Sequence, residues 1–128
     1  IVNAYDNTIL YTDLFIAQTI ERLEQLSDKY TTAVIYISDH GESLGEKGIY
    51  LHAAPYFMAP KEQLEVPMLA WLSEDFSQRF GIDQGCLERA AGTPISHDNL
   101  FSSVLGLLDI TSKVYNPTLD IFRHCTGR

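Results

Sequence analysis

The chain has 128 residues, 45% of them hydrophobic, with a formal net charge of −8 and two cysteines. That composition is globular, with enough apolar material for a core, and excludes a disordered chain. An acidic domain repels phosphate backbones, so no nucleic-acid partner is expected.

No apolar run approaches bilayer-spanning length; the longest, 33–37, is strand-sized. The chain opens at Ile1 in mid-pattern, so a piece of a longer protein is expected. Cys86 and Cys125 can form one disulfide in an oxidising compartment or stay as two free thiols; counting leaves both open.

Asp6 and Asn7 read as a helix start, because short polar side chains cap free backbone N–H groups. Ile9, Ile16, Ile20 and Leu23 recur at helical spacing, predicting a helix over 7–27. Residues 32–37, β-branched and continuously apolar, predict a strand buried on both faces, as in a parallel sheet. Gly41, Gly45, Gly48, Pro55 and Pro60 then mark a long polar loop, and loops of that length in compact domains are usually functional.

Residues 66–72 predict a second buried strand, with Pro67 tolerated only near its start or at an edge. A short helix is expected over 84–91. Ser96 reads as the N-cap of a helix over 97–108, with Asp98 suited to its first turn. The tail is irregular, with a short extended piece at 119–121. Trp71 and Tyr36 read as core, and His124 as surface. Helix, strand, loop, strand, helix is an α/β pattern. Ligands in such folds gather beyond the carboxyl ends of the strands.

Ser38-Asp39-His40-Gly41-Glu42-Ser43-Leu44-Gly45-Glu46 lies at such an end, with His52 after it. Asp39 and His40 are both good zinc ligands. Neighbours on a regular strand point to opposite faces, so they can share one ion only where the strand breaks; Gly41 permits that. Spacing alone leaves two readings, a metal site or a strand end closed by ordinary polar residues. Two ligands do not complete a tetrahedral site, so the others would come from elsewhere.

This segment, with Gly48-Ile49-Tyr50-Leu51-His52-Ala53-Ala54-Pro55-Tyr56, resembles the signature of bacterial phosphoethanolamine transferases. These include the lipid A-modifying enzymes linked to polymyxin resistance, and belong to the alkaline phosphatase/sulfatase superfamily. Tyr5-Asp6-Asn7-Thr8-Ile9-Leu10-Tyr11-Thr12-Asp13 and Ser96-His97-Asp98-Asn99-Leu100-Phe101 resemble two further segments of that family.

The resemblance implies the C-terminal part of an α/β, sulfatase-like sandwich with a mostly parallel sheet and flanking helices. It implies zinc held by Asp39 and His40, with His52 beside the transferred phosphoryl group or a second zinc. Glu42 would lie near the substrate, contacting its amine or a second metal. A catalytic Thr and an acidic zinc ligand would lie upstream; no Thr of this chain matches that nucleophile.

Phosphatidylethanolamine would be the donor and lipid A or a lipopolysaccharide glycan the acceptor. The membrane would be reached through an upstream transmembrane domain, from a periplasmic catalytic domain at the bacterial inner membrane. That compartment favours a Cys86–Cys125 bridge. The 128 residues alone would be inactive. The alternatives are a sulfatase-like or phosphodiesterase hydrolase, and a non-catalytic module. Glu46 would support a ligand or be a solvated carboxylate; His97 would make a structural hydrogen bond.

Overall fold

The computed structural model describes residues 1–127. The chain divides into two compact units, Ile1–Leu72 and Ser73–Arg128.

The first unit opens with helix α1, Val2–Glu24. It starts earlier than the sequence predicts, because no Pro or Gly precedes Asp6 to stop it. Ala4 and Tyr5 donate their N–H groups to the Ile1 carbonyl, so Ile1 is the N-cap and Asp6 lies inside the helix. None of its residues is fully buried, and Ile9, Leu10, Leu14 and Phe15 are more than half exposed.

Strand β1, Ala33–Ile37, follows. The predicted long loop contains a hairpin, β2 (Ser43–Leu44) and β3 (Tyr50–Leu51), closed by a 3₁₀ turn at Glu46–Gly48. Helix α2 (Lys61–Leu64) and strand β4 (Met68–Leu72) complete the unit. Pro67 falls just before β4, where its missing N–H costs no ladder bond.

The α/β class stands, but β1 and β4 pair antiparallel, with Val34 opposite Trp71 and Tyr36 opposite Leu69. The parallel reading made from the apolar run at 32–37 is therefore corrected for its pairing with β4. A continuous apolar run signals burial, not direction. All of β1 is half-buried rather than buried, as are Tyr36 and Trp71. Among the described residues β1 has one strand neighbour, which leaves its other edge open.

In the second unit, helix α3 (Glu74–Phe80) is capped by Ser73 Oγ, which accepts the Phe76 N–H, and ends on Gly81 at φ 65°. Helix α4 (Gln84–Ala90) is capped by Asp83, which accepts from Cys86 N–H. Helix α5 spans Asp98–Leu107, with His97 in the N-cap position. Ser96, predicted as the cap, lies one residue before it, and its Oγ accepts the Asp98 N–H.

Residues 119–121 form no strand. Their backbone is satisfied instead by side chains of α5: Asn99 Nδ2 donates to the Leu119 carbonyl, and Ser103 Oγ accepts the Ile121 N–H. Phe76, Ile82, Leu107, Phe122 and Cys125 are the buried apolar residues of this unit. Cys86 and Cys125 form a disulfide, with Cα atoms 5.4 Å apart. The bridge joins α4 to the tail, and Asp83 N–H donating to the Cys125 carbonyl reinforces it.

Candidate metal centre

Strand β1 ends at Ile37, so Asp39 and His40 lie beyond the alternation of a regular strand. Their side chains turn the same way. Asp39 Oδ2 is 3.8 Å from His40 Nε2. Two donors at zinc bond length in a tetrahedral set lie about 3.3 Å apart, so a small adjustment lets both bind one ion.

His40 Nδ1 is 2.9 Å from the Gly41 carbonyl oxygen. A carbonyl only accepts, so Nδ1 carries the proton and Nε2 presents its lone pair on the side facing Asp39. This is the arrangement by which an outer hydrogen bond fixes a metal-binding imidazole.

The hairpin brings in the rest. Its register pairs Ser43 with Leu51 and Leu44 with Tyr50. One step further along that register sets Glu42 opposite His52. Glu42 Oε2 accordingly lies 3.0 Å from His52 Nδ1. The carboxylate accepts, which leaves His52 Nε2 with its lone pair free. The His40 and His52 rings stand 4.3 Å apart, centroid to centroid, tilted by 31°.

One donor atom each from His40, Glu42 and His52 lies within 4.8 Å of the others. Glu42 Oε1 is buried and has no hydrogen-bond partner among the described residues. An unpaired buried carboxylate oxygen is costly, and a cation would satisfy it. Two imidazoles with free lone pairs and carboxylates from Glu42 and Asp39 form a nitrogen and oxygen set that fits zinc.

The structure thus brings together His40, Glu42 and His52. Asp39 reaches this set through His40, with 88% of its side chain exposed. Glu46 stays outside it. Its Oε2 accepts the Leu44 N–H at 2.7 Å, tying the turn to β2. Its own backbone N–H, then that of Leu44, hold its carboxyl below the ordinary carboxylate range.

Leu51 and Ala53, on either side of His52, both have positive φ, 67° and 72°. Side chains other than glycine adopt this region at a cost, and such strain gathers at functional sites. Sequence reasoning missed this strain; the density of small and apolar residues around His52 gives no sign of it.

Residues 1–110 match the family described as Sulfatase. The chain belongs to the sulfatase family. This sulfatase-family chain is 51% identical over 126 residues to the phosphoethanolamine transferase EptA of Escherichia coli strain K12, covering 98% of this chain and 23% of that protein. It spans about a quarter of the length of the curated relatives of that name that it matches.

Two solved structures from Neisseria meningitidis are equally similar. One is the soluble domain of lipooligosaccharide phosphoethanolamine transferase A, with a TM-score of 0.93 and 51% identity over 99% of this chain and 38% of that one. The other is the integral membrane form of that transferase, with a TM-score of 0.94 and 50% identity over 100% of this chain and 24% of that one. Among the described residues of this sulfatase-family chain, no helix is long and apolar enough to cross a membrane.

Proposed function

We propose that this chain is the C-terminal part of the catalytic domain of a zinc-dependent phosphoethanolamine transferase. The observation that carries the reading is the gathering of one donor atom each from His40, Glu42 and His52 within 4.8 Å of one another. The similarity to transferases of that name supports it.

Asp39 and His40 would hold the ion, with the Gly41 carbonyl fixing the tautomer that leaves His40 Nε2 available. When bound, zinc polarises a phosphoryl oxygen and favours the ionised form of a nearby hydroxyl. The hydroxyl belongs to a Thr outside these 128 residues. Its oxygen bonds to the phosphorus of phosphatidylethanolamine, and the bond from phosphorus to the diacylglycerol oxygen breaks. The Thr proton leaves with diacylglycerol. An oxygen of a lipid A or lipopolysaccharide glycan acceptor then bonds to that phosphorus, the bond from phosphorus to the Thr oxygen breaks, and the acceptor's proton returns to the Thr.

His52, oriented by Glu42, would lie beside the phosphoryl group, where Nε2 would hold or move the proton of the leaving oxygen, or beside a second zinc. Glu42 would contact the substrate amine or a second metal through its unpaired oxygen. The Cys86–Cys125 bridge supports a periplasmic, oxidising location, and the membrane-embedded relative supports the inner membrane.

A second reading, a sulfatase-like or phosphodiesterase hydrolase, is favoured by the family match itself. One experiment separates them. The intact protein is incubated with headgroup-labelled phosphatidylethanolamine, with and without lipid A. The transferase reading expects a covalent phosphoethanolamine adduct that passes to lipid A, and loss of both in His40→Ala. Steady release of free phosphoethanolamine without acceptor would support the hydrolase.

A further inference from the structure

We propose that Gln63 is a positioning residue of this centre, setting the spacing between the His40–Glu42 segment and His52; the proposal rests on the zinc reading above. Gln63 lies in α2, is 5% exposed, and is remote in sequence from every donor. Its N–H donates to the Pro60 carbonyl within its own turn, and its other three hydrogen bonds go to residues within two positions of a donor. Its carbonyl accepts the N–H of Gly41, which stands between His40 and Glu42, at 3.0 Å. Its Nε2 donates to the buried Oγ of Ser43, next to Glu42, at 2.8 Å. Its Oε1 accepts the N–H of Ala54, two residues past His52, at 3.2 Å.

One side chain therefore bonds to both arms of the centre. The arm carrying His52 needs such a tie. Leu51 and Ala53 both hold positive φ, and strain of that kind persists only where the surroundings over-determine it. The β2–β3 pairing fixes the chain before His52, and Gln63 Oε1 fixes it after. On the other arm, a Cβ on Gly41 would collide with the Glu62 carbonyl, so the backbone of α2 lies directly against the segment between His40 and Glu42.

A buried amide is suited to this role. It offers a donor and an acceptor at once, and it adds no charge beside the ion. Outer residues that orient metal ligands change affinity by about 10–100-fold when removed.

The test measures zinc affinity of the intact protein by competition with a chelating dye, well below the unfolding temperature. Gln63→Met keeps the length and removes both side-chain bonds. Gln63→Glu keeps an acceptor for Ala54 N–H and an oxygen to which the Ser43 hydroxyl can donate. The expected result is affinity weakened about 10–100-fold in Gln63→Met, largely recovered in Gln63→Glu, with faster amide exchange at Ala54 in the Met variant. If Gln63→Met does not fold, Ser43→Ala carries the same test by removing a single bond.

A wild type that binds no zinc overturns the zinc reading, and the proposal with it. A wild type that binds zinc while folded Gln63→Met binds it equally well overturns the proposal alone. Glu no better than Met would assign the loss to packing and would also overturn it.

Discussion

His52 Nδ1 stands 3.0 Å from Glu42 Oε2, a contact that follows from continuing the β2–β3 register by one pair. The carboxylate orients the imidazole and keeps its other nitrogen free. His52→Ala should therefore cut phosphoethanolamine transfer by about 100-fold or more, the scale of a lost proton-transfer group. Glu42→Gln should fall between this variant and wild type, since the amide oxygen can still accept from Nδ1. Turnover of labelled donor lipid by purified variants checks the order.

Gly41 is the one place where the segment between His40 and Glu42 can approach α2. Gly41→Ala should destabilise the protein by about 1–3 kcal/mol, the usual cost of forcing an atom into a filled space. It should also weaken zinc binding, because the displaced backbone carries both neighbouring donors. Urea unfolding and a zinc titration on the same sample test both effects.

The Cys86–Cys125 bridge closes a loop with a sequence separation of 39. Chain entropy assigns a crosslink of that span about 4 kcal/mol. Cys86→Ser and Cys125→Ser should each lower the unfolding free energy by roughly that amount, and the double variant by little more, because either change removes the same bond. Denaturant curves with and without reductant make the comparison.

Glu46 has its carboxyl held below the ordinary value of 4.5 by backbone N–H groups. A carboxyl with a depressed folded pKa stabilises the fold above its unfolded pKa, and that contribution is lost as pH falls through the folded value. Wild type should therefore lose stability relative to Glu46→Gln as pH drops from 6 through 4 to 3. Unfolding midpoints for both proteins across that range give the answer.

Much of the candidate centre was legible because it is contiguous. An apolar run that stops at Ser38-Asp39-His40-Gly41 carries its strand, its break and two donors within a few residues. His52 was legible as a donor through its loop, but its pairing with Glu42 depends on the hairpin register, and Gly41 read as a strand break without its close approach to α2. Gln63 left no trace: a neutral amide in a four-residue helix has no motif, and its importance comes from contacts far along the chain.

Strand direction was equally hidden. Residues 33–37 and 68–72 are apolar whichever way they pair, and the connection between them decides the sense. The Cys86–Cys125 bridge was open on counting, since cysteine number does not fix geometry. The early start of α1 shows the weakness of a cap read without a helix breaker before it. Short polar residues at 6 and 7 can sit inside a helix as well as begin one.

The most direct measurement is zinc K-edge absorption spectroscopy on the intact protein and its His40→Ala variant. The expected result is bound zinc with nitrogen and oxygen donors at about 2.0–2.1 Å, an outer-shell signal from imidazole, and weaker imidazole scattering or lost zinc in the variant. A wild-type spectrum lacking imidazole, or one left unchanged by His40→Ala, would contradict it.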